Sequence, residues 1–214
     1  MAEPTPDQVG QVVAFLRNLY RQLDRHMERL PVEAARRGLK IACRGEGCNW
    51  CCYDVAMVTS IEAVGVTAAV NALPREVRNQ IADQFRAWFE VHKAAGTLMG
   101  VSTKEDMHPD AKGIVDDKIA AQRKASFRHR MPCPLLVEGR CSVYEDRPVA
   151  CRGHFAAGES PDACNDADYM LATDHSAVLV VMQAIWGVQG NPDCAPLPEM
   201  LREVCGETLF EVEP

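Results

Sequence analysis

Cysteine is the residue type in this chain with the greatest capacity for chemistry, since ten cysteines occur among 214 residues. Most of them are clumped, in a first clump at residues 43–52 and a second, more widely spaced clump at residues 133–164. Thiolates bind zinc and iron–sulfur clusters, and a tight turn can direct two nearby sulfur atoms at one metal. Scattered cysteines would instead be interpreted as small buried apolar residues. The candidate metal ligands are Cys43, Cys48, Cys51, Cys52, Cys133, Cys141, Cys151 and Cys164.

The first clump lies in a glycine-containing loop. Gly45 and Gly47 give the backbone freedom to turn and leave N–H groups for hydrogen bonds to sulfur. The spacing of Cys43, Cys48 and Cys51 equals that of the ligands in plant-type ferredoxins. Those proteins need a β-rich setting, whereas this chain is predicted to be helical. The spacing therefore indicates only that such a loop can hold an iron–sulfur cluster.

Cys51 and Cys52 are adjacent, which is an awkward arrangement for two ligands of one metal. In a strand their side chains would point to opposite faces, and in a helix they would diverge. Three interpretations follow. One of the two serves a different metal atom, or a different iron of one cluster, or it packs inward.

The composition is that of a globular protein, with 47% hydrophobic and 25% charged residues. The net charge of -7 provides no excess of Lys and Arg to neutralise phosphates, so we expect no nucleic-acid partner. The sequence shows no signal peptide and no apolar run of about 20 residues, so we expect a cytoplasmic protein without a membrane partner. In a reducing compartment, clustered cysteines are metal ligands or redox groups rather than disulfides.

Hydrophobic periodicity predicts a mainly α-helical fold, a single domain over residues 1–214 with irregular cysteine-rich metal-binding loops. An amphipathic N-terminal helix is predicted over residues 7–30, capped by Asp7 and ended by Pro31. The cysteine-cluster core follows at 43–164, and C-terminal helices occupy 166–209.

Inside the core, helices are predicted over 59–73 and 110–127, with another between them after Pro74. Thr59 or Ser60 is expected to cap the helix at 59–73. The turn-rich stretch 132–154 has a hairpin signal at Glu138-Gly139. Residues 166–188 are the most apolar helical segment and the expected buried helix, and a short helix over 197–209 ends the chain.

The two clumps together resemble the CxxCxxCC cysteine-cluster family of zinc- or iron-chelating domains, which also includes flagellin lysine N-methylases. Cys48, Cys51 and Cys52 match the C-x2-C-C part of its first motif, and Cys43 is spaced slightly wider. The distal motif C-P-x-L…C-x-[IV]-Y…R-P…C-R is matched by Cys133, Pro134, Leu136, Cys141, Val143, Tyr144, Arg147, Pro148, Cys151 and Arg152. Cys164 resembles a further cysteine that often follows. The resemblance covers 43–164 and implies metal chelation without specifying a reaction.

The eight candidate thiols are about twice the number that one tetrahedral zinc or one cubane cluster binds. Two sites, or one polynuclear site with spare cysteines, would account for them. Some flagellin methylases carry a [4Fe–4S] cluster, so the resemblance favours an iron–sulfur cofactor, with zinc as the alternative. Cys194 and Cys205 lie outside the resemblance and are interpreted as buried structural residues. His154 is a weaker candidate ligand, in a C-x2-H step after Cys151.

Arg147, Arg152 and Tyr144 are expected either to lie around the thiolates, where they offset negative charge, or only to shape the loop. Three functions remain open. The first is a metal-binding protein whose cluster is structural or redox-linked. The second is a metalloenzyme that modifies a protein or peptide, and the third is a metal storage or delivery protein. The sequence specifies neither catalytic residues nor the oligomeric state, and it shows no G-x-G-x-x-G or P-loop motif for a nucleotide cofactor.

Overall fold

The computed structural model describes residues 5–38, 40, 49–102, 112–153, 175–189 and 193–206. The predicted mainly helical fold is confirmed. The helices are α1 (Pro6–Met27), α2 (Leu30–Arg36), α3 (Ser60–Asn71), α4 (Arg75–Ala94), α5 (Lys112–His129), α6 (Val149–Arg152), α7 (His175–Gln189) and α8 (Leu197–Cys205). The strands are β1 (Met57–Thr59), β2 (Leu136–Val137), β3 (Arg140–Cys141) and β4 (Cys194–Pro196), and 3-10 turns occupy Trp50–Tyr53 and Tyr144–Asp146. None of the described helices is long and apolar enough to cross a membrane.

The N-terminal segment forms two helices rather than the single predicted one. Thr5, not Asp7, is the N-cap of α1, where it forms a capping box with Gln8. The helix ends at Met27, and α2 begins at Leu30 with Pro31 in its first turn. A proline is tolerated there because the first-turn N–H has no intrahelical partner. Pro31 therefore starts a helix, and the prediction that it ends one is wrong.

Helix α3 connects the two parts of the core. It contacts both α1 and α8. Gly65 lies at the contact with α1, where a Cβ atom would lie 2.6 Å from Cδ1 of the buried Leu16 and would force that side chain to shift. One core cluster is built mainly from α3, α4, α8, β1 and the β2–β3 hairpin, with Phe85, Ile81, Leu135 and Met200 among its members. The other is built from α1, α6 and α7, with Leu16, Leu23, Val149 and Ile185 among its members.

Two small antiparallel sheets hold the irregular segments. Strand β1 pairs with β4, so that Met57 lies opposite Pro196 and Thr59 opposite Cys194. This pairing was not predicted, because each strand is only three residues long. The β2–β3 hairpin turns at Glu138 and Gly139, with φ angles of 50° and 77°. Two consecutive positive φ values are typical of a tight two-residue hairpin turn, and the predicted hairpin is confirmed.

Helix α7 is only partly buried. Val181 and Ile185 pack into the core, whereas Val180 and Val188 are 64% and 62% exposed. The prediction that this apolar segment is the buried helix is thus wrong for one of its faces. The part of the predicted helix before His175 lies outside the described residues.

Candidate metal centre

Five candidate cysteines, carried by three separate segments, are neighbours in the structure. Cys51 and Cys52 lie in the first 3-10 turn, Cys133 precedes the hairpin, Cys141 ends β3 and Cys151 lies in α6. A negative charge on Cys133, Cys51 or Cys141 would raise the pKa of Cys151. The backbone also joins two segments directly, because Cys133 N donates to Cys52 O at 2.6 Å. The described residues of the two cysteine clumps therefore lie close together, as the sequence predicts.

Cys51 and Cys52 do not diverge as expected for adjacent residues. Their side chains are joined by a hydrogen bond, which lowers the pKa of Cys51 and raises that of Cys52. The two thiols therefore titrate as a pair, and loss of one proton makes loss of the second less favourable. Both residues lie in the 3-10 turn at Trp50–Tyr53, and the hydrogen bond shows that their sulfur atoms are close together. Both can therefore face the other thiols.

Burial and mutual repulsion disfavour thiolates when no metal is bound. Burial raises the pKa of Cys133 to about 12, and it also raises the pKa values of Cys141 and Cys151. A bound metal reverses this preference, since only the deprotonated sulfur is a ligand. These cysteine thiols should therefore release protons when they bind a metal cation.

Backbone N–H groups are already directed at two of the sulfur atoms. The Leu135 backbone hydrogen-bonds the Cys133 thiol and lowers its pKa, and Val143 does the same for Cys141. In both cases the donor lies two residues after the cysteine. Hydrogen bonds of this kind stabilise negative charge on sulfur and orient it. The hairpin therefore presents two cysteines in equivalent local settings.

Two arginines supply positive charge beside the thiols. Arg147 lowers the pKa values of Cys51 and Cys141, and its guanidinium lies 3.8 Å from the centre of the Tyr144 ring. Arg152 is only 3% exposed and lies over the Tyr20 ring at 4.2 Å. Both placements agree with the expectation that these arginines offset thiolate charge. Tyr144 is half-buried beneath Arg147 and does not fill the core.

Arg152 also ties the cysteine-bearing loop to α1. Its guanidinium donates to the carbonyl oxygen of Arg147 at 2.7 Å, to the carbonyl oxygen of Glu145 and to the Asp24 carboxylate. A planar guanidinium with several donors can serve all of these acceptors at once. The residue after Cys151 is thereby held in one position.

Sequence reasoning missed a second positioning residue, Glu62. It lies in the first turn of α3, where its carboxylate accepts a hydrogen bond from Thr59 N at 3.0 Å. Its other oxygen, Oε1, accepts from Val149 N at 2.8 Å, at the start of the helix that carries Cys151. Burial raises the pKa of Glu62, and the hydrogen bonds to Thr59 and Val149 oppose the rise. The capping-box pattern reveals the local bond, but no sequence signal reveals the distant one.

The described thiols lie near one another, but their sulfur atoms are not arranged as the ligands of a metal ion. Within the described ranges, no three His, Cys, Asp or Glu side chains are disposed to hold a metal ion. Cys43, Cys48 and Cys164, together with His154, lie outside those ranges. The donor set that is described is all sulfur, supported by N–H groups and guanidinium ions. That chemistry fits zinc or an iron–sulfur cluster and not an oxygen-preferring cation.

Cys194 and Cys205 are placed apart from this group. Cys194 is buried in β4, and burial raises its pKa to about 11. The Cys205 sulfur lies 2.8 Å from Thr67 Oγ1, on the contact between α8 and α3. No interaction with another cysteine contributes to the pKa of either residue among those described.

A family model covers more than half of this chain. Residues 42–167 match CxxCxxCC, whose description is "Putative zinc- or iron-chelating domain". No curated protein and no solved structure matches the chain. The matched region begins just before Cys43 and ends just after Cys164, so it contains every candidate ligand.

Proposed function

Because this chain belongs to the CxxCxxCC family of zinc- or iron-chelating domains, we propose that it binds an iron–sulfur cluster through its two cysteine clumps. The proposed ligands come from Cys43, Cys48, Cys51, Cys52, Cys133, Cys141, Cys151 and Cys164. The observation that supports the proposal is that Cys51, Cys133 and Cys141 lie close enough to Cys151 for a negative charge on any of them to raise its pKa, although the four come from three segments of the chain. Binding of a metal by the domain follows from the family, and the choice of iron–sulfur over zinc is the proposal.

The number and arrangement of the thiols support a centre with more than one metal atom. A tetrahedral zinc needs four ligands, and the described residues alone bring five cysteines together. The side-chain hydrogen bond between Cys51 and Cys52 keeps their sulfur atoms close together, which favours use of both by one polynuclear cluster. Arg147 and Arg152 supply positive charge that would offset the negative charge of a four-thiolate cluster.

The cluster's first role is structural. It would join the 3-10 turn at Trp50–Tyr53, the hairpin and α6, three segments with little regular secondary structure of their own. Metal binding can contribute about 10–16 kcal/mol in small zinc domains, compared with a net domain stability of about 5–15 kcal/mol. A redox-linked role would use the same centre.

The test is anaerobic purification of the full chain, followed by iron, zinc and acid-labile sulfide analysis. An iron–sulfur cluster predicts a brown protein with broad absorbance near about 400 nm that bleaches on reduction, with sulfide in proportion to iron. A colourless, oxygen-stable protein with stoichiometric zinc and no sulfide would overturn the iron assignment. It would leave the chelating site intact.

Metal storage or delivery is not favoured. That function needs thiolates that partners can reach, and each of the five clustered cysteines is at least partly buried. A metalloenzyme is the second candidate, because a pocket beside the thiols is the feature that such an enzyme requires. Cys52 and Cys133 border a small pocket that Asp54, Gln122 and Ser126 also line.

A further inference from the structure

Four arginines line the exposed side of α1 and the turn that follows it. This arginine row consists of Arg17, Arg21, Arg25 and Arg29, which are four residues apart and all exposed. Residues at that spacing lie on one face of a helix, and at about 1.5 Å per residue the row is about 18 Å long. The residues of α1 that pack into the core are Leu16, Tyr20, Leu23 and Met27. The arginine row therefore faces away from the core.

Positive charge is concentrated in this part of the chain. Residues 17–40 contain seven Lys and Arg and three Asp and Glu, a net charge of +4, whereas the whole chain has a net charge of -7. The arginine row precedes residues 42–167, which match the family model, so the cysteine motifs do not account for it. Like charges four residues apart repel each other and destabilise an isolated helix. The row therefore lowers the stability of α1 unless carboxylates neutralise it.

Arg17 shows how an arginine of the row binds a carboxylate. Its Nε donates to Asp146 Oδ1 at 2.7 Å, and its Nη2 donates to Asp146 Oδ2 at 2.9 Å. This bidentate pair matches the planar guanidinium to the carboxylate. Arg21, Arg25 and Arg29 form no ion pair with any other described residue. They therefore offer the same set of donors without a carboxylate to accept from them.

The nearby acidic side chains do not neutralise these three arginines. The Asp24 carboxylate accepts from the buried Arg152 instead. Glu28 and Glu33 are exposed, and in the described part of the chain neither forms an ion pair. A partner can therefore supply the carboxylates that the fold does not.

We propose that the arginine row is a docking surface for an acidic segment of a partner protein, whose carboxylates pair with Arg21, Arg25 and Arg29. A helix with Asp or Glu at every fourth position has the spacing of the row. A nucleic acid or a membrane is less complementary, because it presents negative charge over a wide area. It would also approach the rest of the chain, whose net charge outside residues 17–40 is -11, given -7 in total and +4 within them. A short acidic segment contacts the row alone.

The arginine row adjoins the loop that carries two candidate ligands. Asp146, which Arg17 binds, lies between Cys141 and Cys151 in the sequence, and Asp24 of α1 binds the residue after Cys151. A partner docked on the row would thus lie beside the candidate metal centre. The surface itself is formed by α1 and its following turn, so it goes beyond the proposed function and does not require a bound metal.

The test is fluorescence anisotropy of the purified full chain with two labelled peptides. An alanine-based helical peptide with glutamate at every fourth position is compared with the same peptide carrying glutamine. At about 50 mM salt we expect saturable binding of the glutamate peptide, at least about tenfold tighter than that of the glutamine peptide. At about 300 mM salt the binding should weaken about tenfold or more, because salt screens exposed charges. Equal binding of the two peptides, or no saturable binding, would overturn the proposal.

Two further probes distinguish the classes of partner. A short DNA duplex and phosphatidylserine vesicles are titrated under the same conditions. We expect both to bind more weakly than the glutamate peptide. Tighter binding of the duplex would assign the row to a nucleic acid, and tighter binding of the vesicles would assign it to a membrane. Either result would overturn the proposal.

Charge reversals locate the binding on the arginine row. The row variant combines Arg21→Glu, Arg25→Glu and Arg29→Glu. The matched control reverses three exposed charges of α4 and α5, with the same change in net charge, by Arg78→Glu, Lys118→Glu and Lys124→Glu. We expect the row variant to bind the glutamate peptide about tenfold or more weakly, and the control less than about threefold, because exposed charges act over a Debye length of about 10 Å. Equal weakening in both would show that net charge and not the row attracts the peptide.

Unfolding curves check that each variant folds. If the row variant does not fold, the single change Arg25→Glu takes its place, and the comparison of peptides with wild-type protein stands by itself. Metal content is measured on the same samples. A row variant that keeps its metal but loses the peptide separates the docking surface from the metal centre, and peptide binding by a metal-free chain does so as well.

Discussion

The Glu62 carboxylate accepts a hydrogen bond from the backbone N–H of Val149 at 2.8 Å, across 87 residues of chain. The carboxylate is 1% exposed, and its other oxygen completes the capping box of α3 at Thr59. One side chain therefore caps two helices, one of which carries Cys151. The geometry makes Glu62 a positioning residue for the candidate metal centre, although it is not a candidate ligand.

Replacement of Glu62 should loosen the cysteine-bearing helix. In Glu62→Ala the backbone N–H groups of Thr59 and Val149 lose their buried acceptor, at a cost of about 1–3 kcal/mol for each. Glu62→Gln keeps an acceptor for one of them and should cost less. Urea unfolding gives the stability, and metal analysis gives the occupancy of the centre. If Glu62→Ala matched the wild type in both, the capping role would be wrong.

Replacement of Arg152 by lysine should destabilise the protein, although the positive charge is kept. Lysine keeps the charge but cannot serve the carbonyl oxygens of Arg147 and Glu145 and the Asp24 carboxylate together. We expect Arg152→Lys to lower the free energy of unfolding by about 3 kcal/mol, on the scale of one or two buried hydrogen bonds to a charged group. The control is Arg86→Lys, whose salt bridge with Asp83 is exposed and should contribute little. Equal effects of the two changes would contradict the prediction.

The cysteine assignment predicts a contrast between two serine variants. Cys151→Ser should lower the metal content, because Cys151 lies among the other thiols. Cys205→Ser should retain it, since a serine hydroxyl can replace the contact with Thr67. The measurement is metal per chain after identical anaerobic purification. Loss of metal from the Cys205 variant with an unaffected Cys151 variant would reverse the assignment.

His92 should make stability depend on pH below neutrality. Burial, with a smaller effect of the charge on His129, lowers its pKa to about 4. An unfolded histidine titrates near about 6.5, so as the pH falls the unfolded state takes up the proton first. The stability present above about pH 6.5 is therefore lost between about pH 6.5 and 4, by up to about 3 kcal/mol.

Urea unfolding of wild type and His92→Asn between pH 7 and pH 4 isolates this effect, because other titrating groups are common to both proteins. The difference between the two free energies should shrink as the pH falls. His129→Gln is a second check, since removal of its charge should raise the pKa of His92 and weaken the pH dependence. A constant difference across the range would show that His92 titrates normally in the folded protein.

Local patterns by themselves determined the helices and the chemistry of the chain. The helical repeat, the capping box at Thr59 and the hairpin turn at Glu138-Gly139 each relate residues that are at most four positions apart. Such signals can therefore be recognised in the sequence. The cysteine clumps and the distal motif equally identified the metal-binding family. Where local signals competed, as between Thr5 and Asp7 for the cap of α1, the prediction was wrong because two suitable residues lie close together.

Only the tertiary structure decided which distant groups meet. The pairing of β1 with β4, the bond from Val149 to Glu62 and the contact of Gln122 with Glu199 join residues that are 77 or more positions apart. No sequence period encodes such contacts, because they depend on how α1, α3 and α8 pack. The same packing brings Cys151 to Cys51 and places Asp146 beside Arg17. The sequence therefore predicts which atoms can bind a metal, and the packing of the helices determines which of them share a site.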